Sequence, residues 1–159
     1  MVTGPSRDWI EPIVQRWSVS VEGEAIALSL PAYRPDLLER LARRLDARFC
    51  DFRRSRLMPL GWDAASLPLH ALDDAAVEEM SGGQPLVLHN CEALLSLMTS
   101  AARKAWFRHA LCKTWPARLL LPVVLYSSDL PEEAAGRTVT LEPDDLPPDS
   151  LLDRLSGVA

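Results

Sequence analysis

Apolar residues recur along this chain in two rhythms, one helical and one of short unbroken runs. Trp9, Ile10, Ile13, Val14 and Trp17 fall at helical spacing and predict a short helix over Asp8 to Trp17, packed on a sheet edge, with Pro12 in its first turn. After the turn EGE, the run AIALSL (Ala25 to Leu30) predicts a strand buried on both faces, closed by Pro31. Pro35 suits a first helical turn, and Leu37, Leu38, Leu41, Ala42, Leu45 and Phe49 follow at helical spacing with arginines opposite, predicting a helix of about four turns. RFCDFR is a candidate next strand, and Met58 to Leu72 reads as irregular connection.

The second half repeats the alternation. DDAAVEEM predicts a short helix with an Asp cap and acids in its first turn, stopped by SGG. PLVLHN (Pro85 to Asn90) predicts a strand, and a long helix is expected from about Glu92 to Lys113. Its buried stripe would be Leu94, Leu95, Met98, Ala101, Ala102, Ala105, Trp106 and His109. ARLLLPVVLYSS predicts another buried strand with Pro122 at its start or at an edge position, and RTVTLEP a last short one. A terminal amphipathic helix is expected over 148–156. Strands alternating with helices predict an α/β fold with a mainly parallel sheet flanked by helices, and any site at the carboxyl ends of the strands.

At 159 residues and 48% apolar composition, the chain has the size of one domain, with a core over about 25–141. A net charge of −5 argues against a generic nucleic-acid coat or a polybasic membrane surface. The charge is nonetheless uneven. Between Arg34 and Arg56 stand eight arginines against four acids, a local +4, whereas Asp129 to Asp153 carries eight acids against one arginine, a local −7. Such faces are either simply solvated or, for the basic one, able to contact nucleic acid or an acidic protein. The opening MVTGPSRDWIEPIV lacks a basic end followed by a long apolar run, so no secretory signal is expected. Cys50, Cys91 and Cys112 stand far apart without a CxxC pair, which suggests neither a disulfide framework nor a zinc site, and a cytoplasmic setting is expected.

Three strand ends invite comparison. YRPDLLERLARRL resembles the helix that follows the phosphate-binding loop of AAA+ and related P-loop ATPases. PLVLHNCEALL resembles the Walker B strand, and LPVVLYSSDLPE the strand that ends in a polar sensor residue. The resemblance covers roughly Ala25 to Leu141. It places Arg34 at the phosphate-binding lysine, Pro35 at the magnesium-binding hydroxyl, His89 at the magnesium-holding aspartate, and Ser127 or Ser128 at the sensor.

The departures set what can be carried over. Glycines in a P-loop let consecutive N–H groups converge on phosphate, lysine reaches the terminal phosphates, and Ser/Thr holds magnesium. Here Pro31, Ala32, Tyr33 and Pro35 stand in the bend, proline removes donors, and histidine is a poor ligand for magnesium. Losing several charge-stabilising contacts at roughly 3 kcal/mol each leaves little phosphoryl-transfer rate, so no ATPase activity is expected. The resemblance therefore implies a catalytically inactive P-loop-like accessory subunit without a cofactor or metal. The small P-loop subunit of BREX-type anti-phage defence systems is similar in size and in its weak motifs. Its partner would be a larger ATPase or a DNA-acting enzyme.

Each residue also has a plainer reading. Arg34 can face solvent or hold an acid, His89 and Asn90 can close the sheet as a satisfied pair, and Glu92 can be a first-turn helix acid or a surviving catalytic glutamate. Ser127, Ser128 and Asp129 can cap a turn. One alternative function is nucleotide binding without hydrolysis, or nucleic-acid binding through Arg40, Arg43, Arg44, Arg48, Arg53, Arg54 and Arg56. A further alternative is a small hydrolase using Ser127 or Ser128 with His89, or Cys91 with a histidine, although no GxSxG elbow is present.

Overall fold

A computed structural model describes residues 8–148; the helix expected over 148–156 lies almost wholly outside them. The elements are α1 (Glu11–Ser18), β1 (Ala25–Ser29), α2 (Pro35–Arg44), β2 (Arg48–Asp51), α3 (His70–Glu79), β3 (Leu86–His89), α4 (Glu92–Leu95), α5 (Ser100–Cys112), β4 (Leu119–Val123) and β5 (Thr138–Thr140). The five strands form one sheet in the order β2-β3-β4-β1-β5, and every pairing is parallel.

Because successive strand residues point to opposite faces, the apolar runs feed two cores. Ile26, Leu28, Val87 and Leu120 meet Trp9, Ile13 and Trp17 of the α1 region and Leu37, Leu38 and Leu41 of α2. Ala25, Ala27, Leu86, Leu88, Leu119 and Leu121 meet Leu72 and Ala76 of α3 and Trp106, Phe107, Ala110 and Leu111 of α5. The EGE turn before β1 depends on its glycine. Gly23 has φ +86°, and a Cβ there would lie 2.7 Å from the Trp115 carbonyl. The close approach is used, since Trp115 N–H donates to the Gly23 carbonyl at 2.9 Å.

Several boundaries differ from the sequence expectation. Helix α2 stops at Arg44, and Asp46 turns the chain with φ 53°, so Phe49 belongs to β2 and not to the helical stripe. Helix α3 starts at His70 without a side-chain cap; Asp73, inside it, instead accepts from Trp106 Nε1 (2.9 Å) and pairs with His109 Nε2 (2.7 Å). The connection expected to be irregular over Met58 to Leu72 is a 3-10 segment (Met58–Ser66) that follows a π-turn (Arg53–Leu57) and leads into α3 at His70.

The long helix expected from Glu92 to Lys113 is two helices. Thr99 leaves helical geometry (φ −71°, ψ 159°), and its side chain accepts from Ala102 N–H at 3.1 Å, starting α5 afresh. The break rotates the buried face: Ala101 and Ala105 are exposed, and Phe107, Ala110 and Leu111 are buried in their place.

Pro122 lies inside β4, not at its start or on an edge, opposite Leu28 of β1. Leu119 N–H donates to Glu24 O and Val123 O accepts from Leu30 N–H, so odd-numbered β4 donors face β1 and even-numbered ones face β3. The imide nitrogen of Pro122 thus faces β3, where the ladder ends at Val87 and Leu120. Proline offers no donor there, and the β3–β4 pairing stops before it while β3 runs on to His89 beside β2.

Candidate functional site

Parallel α/β sheets place ligands beyond the carboxyl ends of their strands, where neighbouring connections leave to opposite faces. That condition is met between β1, which continues into α2 on one face, and β4, whose following segment (Tyr126 to Leu130) packs against the α5 side on the other. A cleft of about 320 Å³ opens at these ends, lined by Tyr33, Asn90, Glu92, Ala93, Val124 and Leu125 among others, none of them a lysine or arginine.

Glu92 dominates the cleft floor. As the first residue of α4 it is 9% exposed, and its carboxylate reaches across to the end of β4. Oε1 accepts from Val124 N–H, and Oε2 from Leu125 and Tyr126 N–H, all at 2.7 Å. Three consecutive amides turned toward one point form a concavity that suits an anion, and the chain fills it with its own carboxylate. The first of these donors, Val124, belongs to the even-numbered set that β3 would have met had it continued past Pro122.

The bend between β1 and α2 presents no comparable nest. None of residues 31–34 has positive φ; among the described residues that conformation occurs at Asp46, Asn90 and three glycines, all elsewhere. Arg34 is 8% exposed. Its guanidinium donates to both oxygens of Asp36 (3.2 and 3.1 Å) and to the Pro147 carbonyl (2.7 Å). Hydrogen bonding from Arg34 is the main reason the Asp36 carboxyl titrates below the usual range, and the Leu37 and Asp36 N–H groups add to it. The start of α2, with Pro35 as its first residue, is occupied by a carboxylate from within.

His89, at the end of β3, is 2% exposed and packs between aromatic rings, with Tyr33 stacked at 5.2 Å and Phe49 tilted at 5.8 Å. Burial pushes its pKa down, against the opposing pull of Asp51 and Glu39. Its Nε2 has no hydrogen-bond partner among the described residues. Asn90 adopts φ 66°, and its amide donates to Asp51 Oδ1 (2.9 Å) and to Tyr33 Oη (3.2 Å). The expected satisfied pair is therefore half present: Asn90 is anchored, and His89 is held by ring packing.

Ser127 accepts from Ser29 Oγ at 2.8 Å, closing the mouth between β1 and β4. Ser128 is exposed and starts no contact toward His89; among the described residues no hydrogen bond joins either serine to a histidine. Cys91 is buried, burial drives its thiol pKa well above normal, and its Sγ donates to Leu88 O. Asp129 closes the short turn Ser127–Asp129 and is clamped by Arg103 Nε (2.8 Å) and Ser100 Oγ (3.1 Å). Arg103 also lies 4.1 Å from the centre of the Tyr126 ring. This clamp, which fixes the turn that directly follows the three amides, has no local sequence signature: Arg103 and Asp129 lie 26 positions apart.

The arginine-rich stretch is divided. Arg48 pairs with Glu79 (3.0 Å), and Arg56 with Glu79 (3.1 Å) and Glu78 (3.3 Å), tying β2 and the π-turn to α3. Arg40, Arg43 and Arg44 on α2, and Arg53 and Arg54 on the π-turn, are exposed and have no carboxylate within salt-bridge distance among the described residues. No cluster of three or more potential metal ligands occurs among the described residues, nor is any described helix long and apolar enough to cross a membrane.

Comparison with protein-family models, with curated proteins and with solved structures finds no match for this chain.

Proposed function

We propose that this chain is a catalytically silent, P-loop-like accessory subunit that works by assembly with a larger ATPase or DNA-acting partner, in a setting such as bacterial anti-phage defence. The observation that carries this reading is the Glu92 carboxylate seated on three backbone amides at the strand ends. A phosphate approaching that point would have to displace a buried, hydrogen-bonded anion, and the cleft lining offers no lysine or arginine to compensate.

The arrangement of strands supports the P-loop-like part of the reading. A nucleotide touched by all three motif-like segments needs their strands side by side, and β3, β4 and β1 are contiguous, with the sensor-like strand in the middle. The assembly part is supported by surface chemistry. Trp62 is 99% exposed, and Met58 and Leu60 beside it are also exposed, an apolar tip of the kind that anchors protein interfaces.

The expected result is no phosphate release from ATP with magnesium above the protein-free rate, and no heat of ATP binding by calorimetry. Turnover that disappears in Arg34→Ala would overturn the silent-subunit reading. A second reading, nucleic-acid binding without hydrolysis, is favoured by Arg40, Arg43, Arg44, Arg53 and Arg54, which are exposed and without carboxylate partners among the described residues. It predicts DNA affinity falling steeply with salt and reduced by Arg53→Glu/Arg54→Glu; no binding at low salt removes it.

A further inference from the structure

The strand-end cleft has a chemical bias that goes beyond the loss of phosphate binding. Its backbone donors at Val124, Leu125 and Tyr126 are consumed by Glu92. What is left over is mainly acceptors. Glu92 Oε1 takes one hydrogen bond where Oε2 takes two, so it retains capacity for another. Both donors of the Asn90 amide go to oxygens of Asp51 and Tyr33, which fixes the amide orientation and leaves its carbonyl oxygen without a partner among the described residues.

The rest of the lining is one aromatic ring, aliphatic wall and the Ser96 hydroxyl, whose proton goes to the Ala93 carbonyl (2.9 Å) so that it too faces the cleft as an acceptor. Tyr33 is half exposed in the cleft, and Ala93, Val124 and Leu125 supply apolar surface. A partly enclosed volume with one carboxylate, no lysine or arginine, unfilled acceptors and a tyrosine face is matched by a cation that carries several N–H donors on a flat body. We infer that the cleft between the ends of β1, β3 and β4 is a binding site for a guanidinium group, held by Glu92 and Asn90 and stacked on Tyr33.

A guanidinium satisfies both features together: its planar fork can meet two acceptors while its face lies on an aromatic ring. Inorganic phosphate, nucleotides and carboxylates are excluded by charge. The inference rests on the cleft's donor and acceptor balance and not on P-loop-like ancestry, so ATP turnover would sink the silent-subunit reading without deciding this one.

The test is an amide NMR titration of the full chain with agmatine, with acetyl-Gly-Arg-Gly-amide and, as the anionic control, with inorganic phosphate. Saturable shifts at Tyr33, Ala93, Val124 and Leu125 are expected with a guanidinium probe and not with phosphate. Agmatine alone would indicate a free guanidino compound as the natural ligand; binding of the peptide would indicate an arginine side chain of a protein. Leu125→Arg, a change at a 70% exposed position that places a competing cation at the cleft mouth, should abolish the shifts while preserving the spectrum of the fold. Glu92→Gln should weaken binding by roughly tenfold or more, the loss expected for a charge-assisted hydrogen bond. Trp62→Ala, outside the cleft lining, should bind as the parent does. Absence of saturable shifts with both guanidinium probes, or undiminished binding by Leu125→Arg, would overturn the assignment.

Discussion

Glu92 shows how one side chain sets the character of a site. Its position after an apolar strand is legible in the chain, but its three acceptor bonds depend on residues more than thirty positions away. Replacing it with alanine leaves three amide donors without their acceptor, a loss of about 3 kcal/mol on folding if solvent replaces only part of the bonding; a urea unfolding curve measures it. Glu92→Gln keeps acceptor capacity on one atom and should fall between the two. His89 acts differently, through titration. Its pKa is depressed in the fold, so the unfolded chain takes up the proton first as pH falls below about 6.5. Stability should therefore drop through that window and level off once the folded form is also protonated. In His89→Phe the drop should be absent, which melting curves between neutral and mildly acidic pH would show.

At the scale of elements, boundaries were legible where a residue imposes its own geometry and obscure where contacts decide. Pro35 announced the start of α2, and the runs AIALSL and PLVLHN announced β1 and β3. The break before α5 was not legible, because the stretch from Glu92 to Lys113 is uniformly compatible with helix and the non-helical, capping Thr99 divides it. Thr99→Ala should cost about 1 kcal/mol by removing the cap bond to Ala102. Gly23→Ala should cost more, roughly 1–3 kcal/mol, since both its positive φ and the Trp115 carbonyl at 2.7 Å oppose a methyl group. Comparing the two by thermal unfolding separates a lost cap from enforced backbone strain. Pro122 carries a similar lesson: in sequence it argues for an edge, and in the sheet it sits centrally where the β3–β4 pairing stops at Val87 and Leu120, although β3 itself runs on to His89 beside β2.

Across the whole molecule, the carboxylates bound to arginine give acid sensitivity. Hydrogen bonding from Arg103, opposed by burial, holds Asp129 below its ordinary pKa. In Glu24, burial pushes the other way, but the Arg16 and Val21 hydrogen bonds outweigh it. Depressed carboxyl pKa values contribute stability above the unfolded value near 4 that is lost as pH falls through the folded values. Asp129→Asn should thus lower stability at neutral pH and flatten the decline below about pH 4, measurable as the pH dependence of the urea midpoint. The same change loosens the turn that follows the three cleft amides, so hydrogen exchange at Tyr126 and its neighbours should quicken first.

The sequence by itself determined the alternation of strands and helices, the burial of β1 and β4 and the absence of a glycine phosphate loop, because these depend on local periodicity and on the conformational range of single residues. Only the tertiary structure decided the all-parallel order β2-β3-β4-β1-β5, the division of the arginines into paired and exposed sets, and the occupant of the strand-end amides. Those outcomes arise from groups distant in the chain: apolar burial on both faces accompanies the strand order, and a carboxylate is buried only where donors meet it.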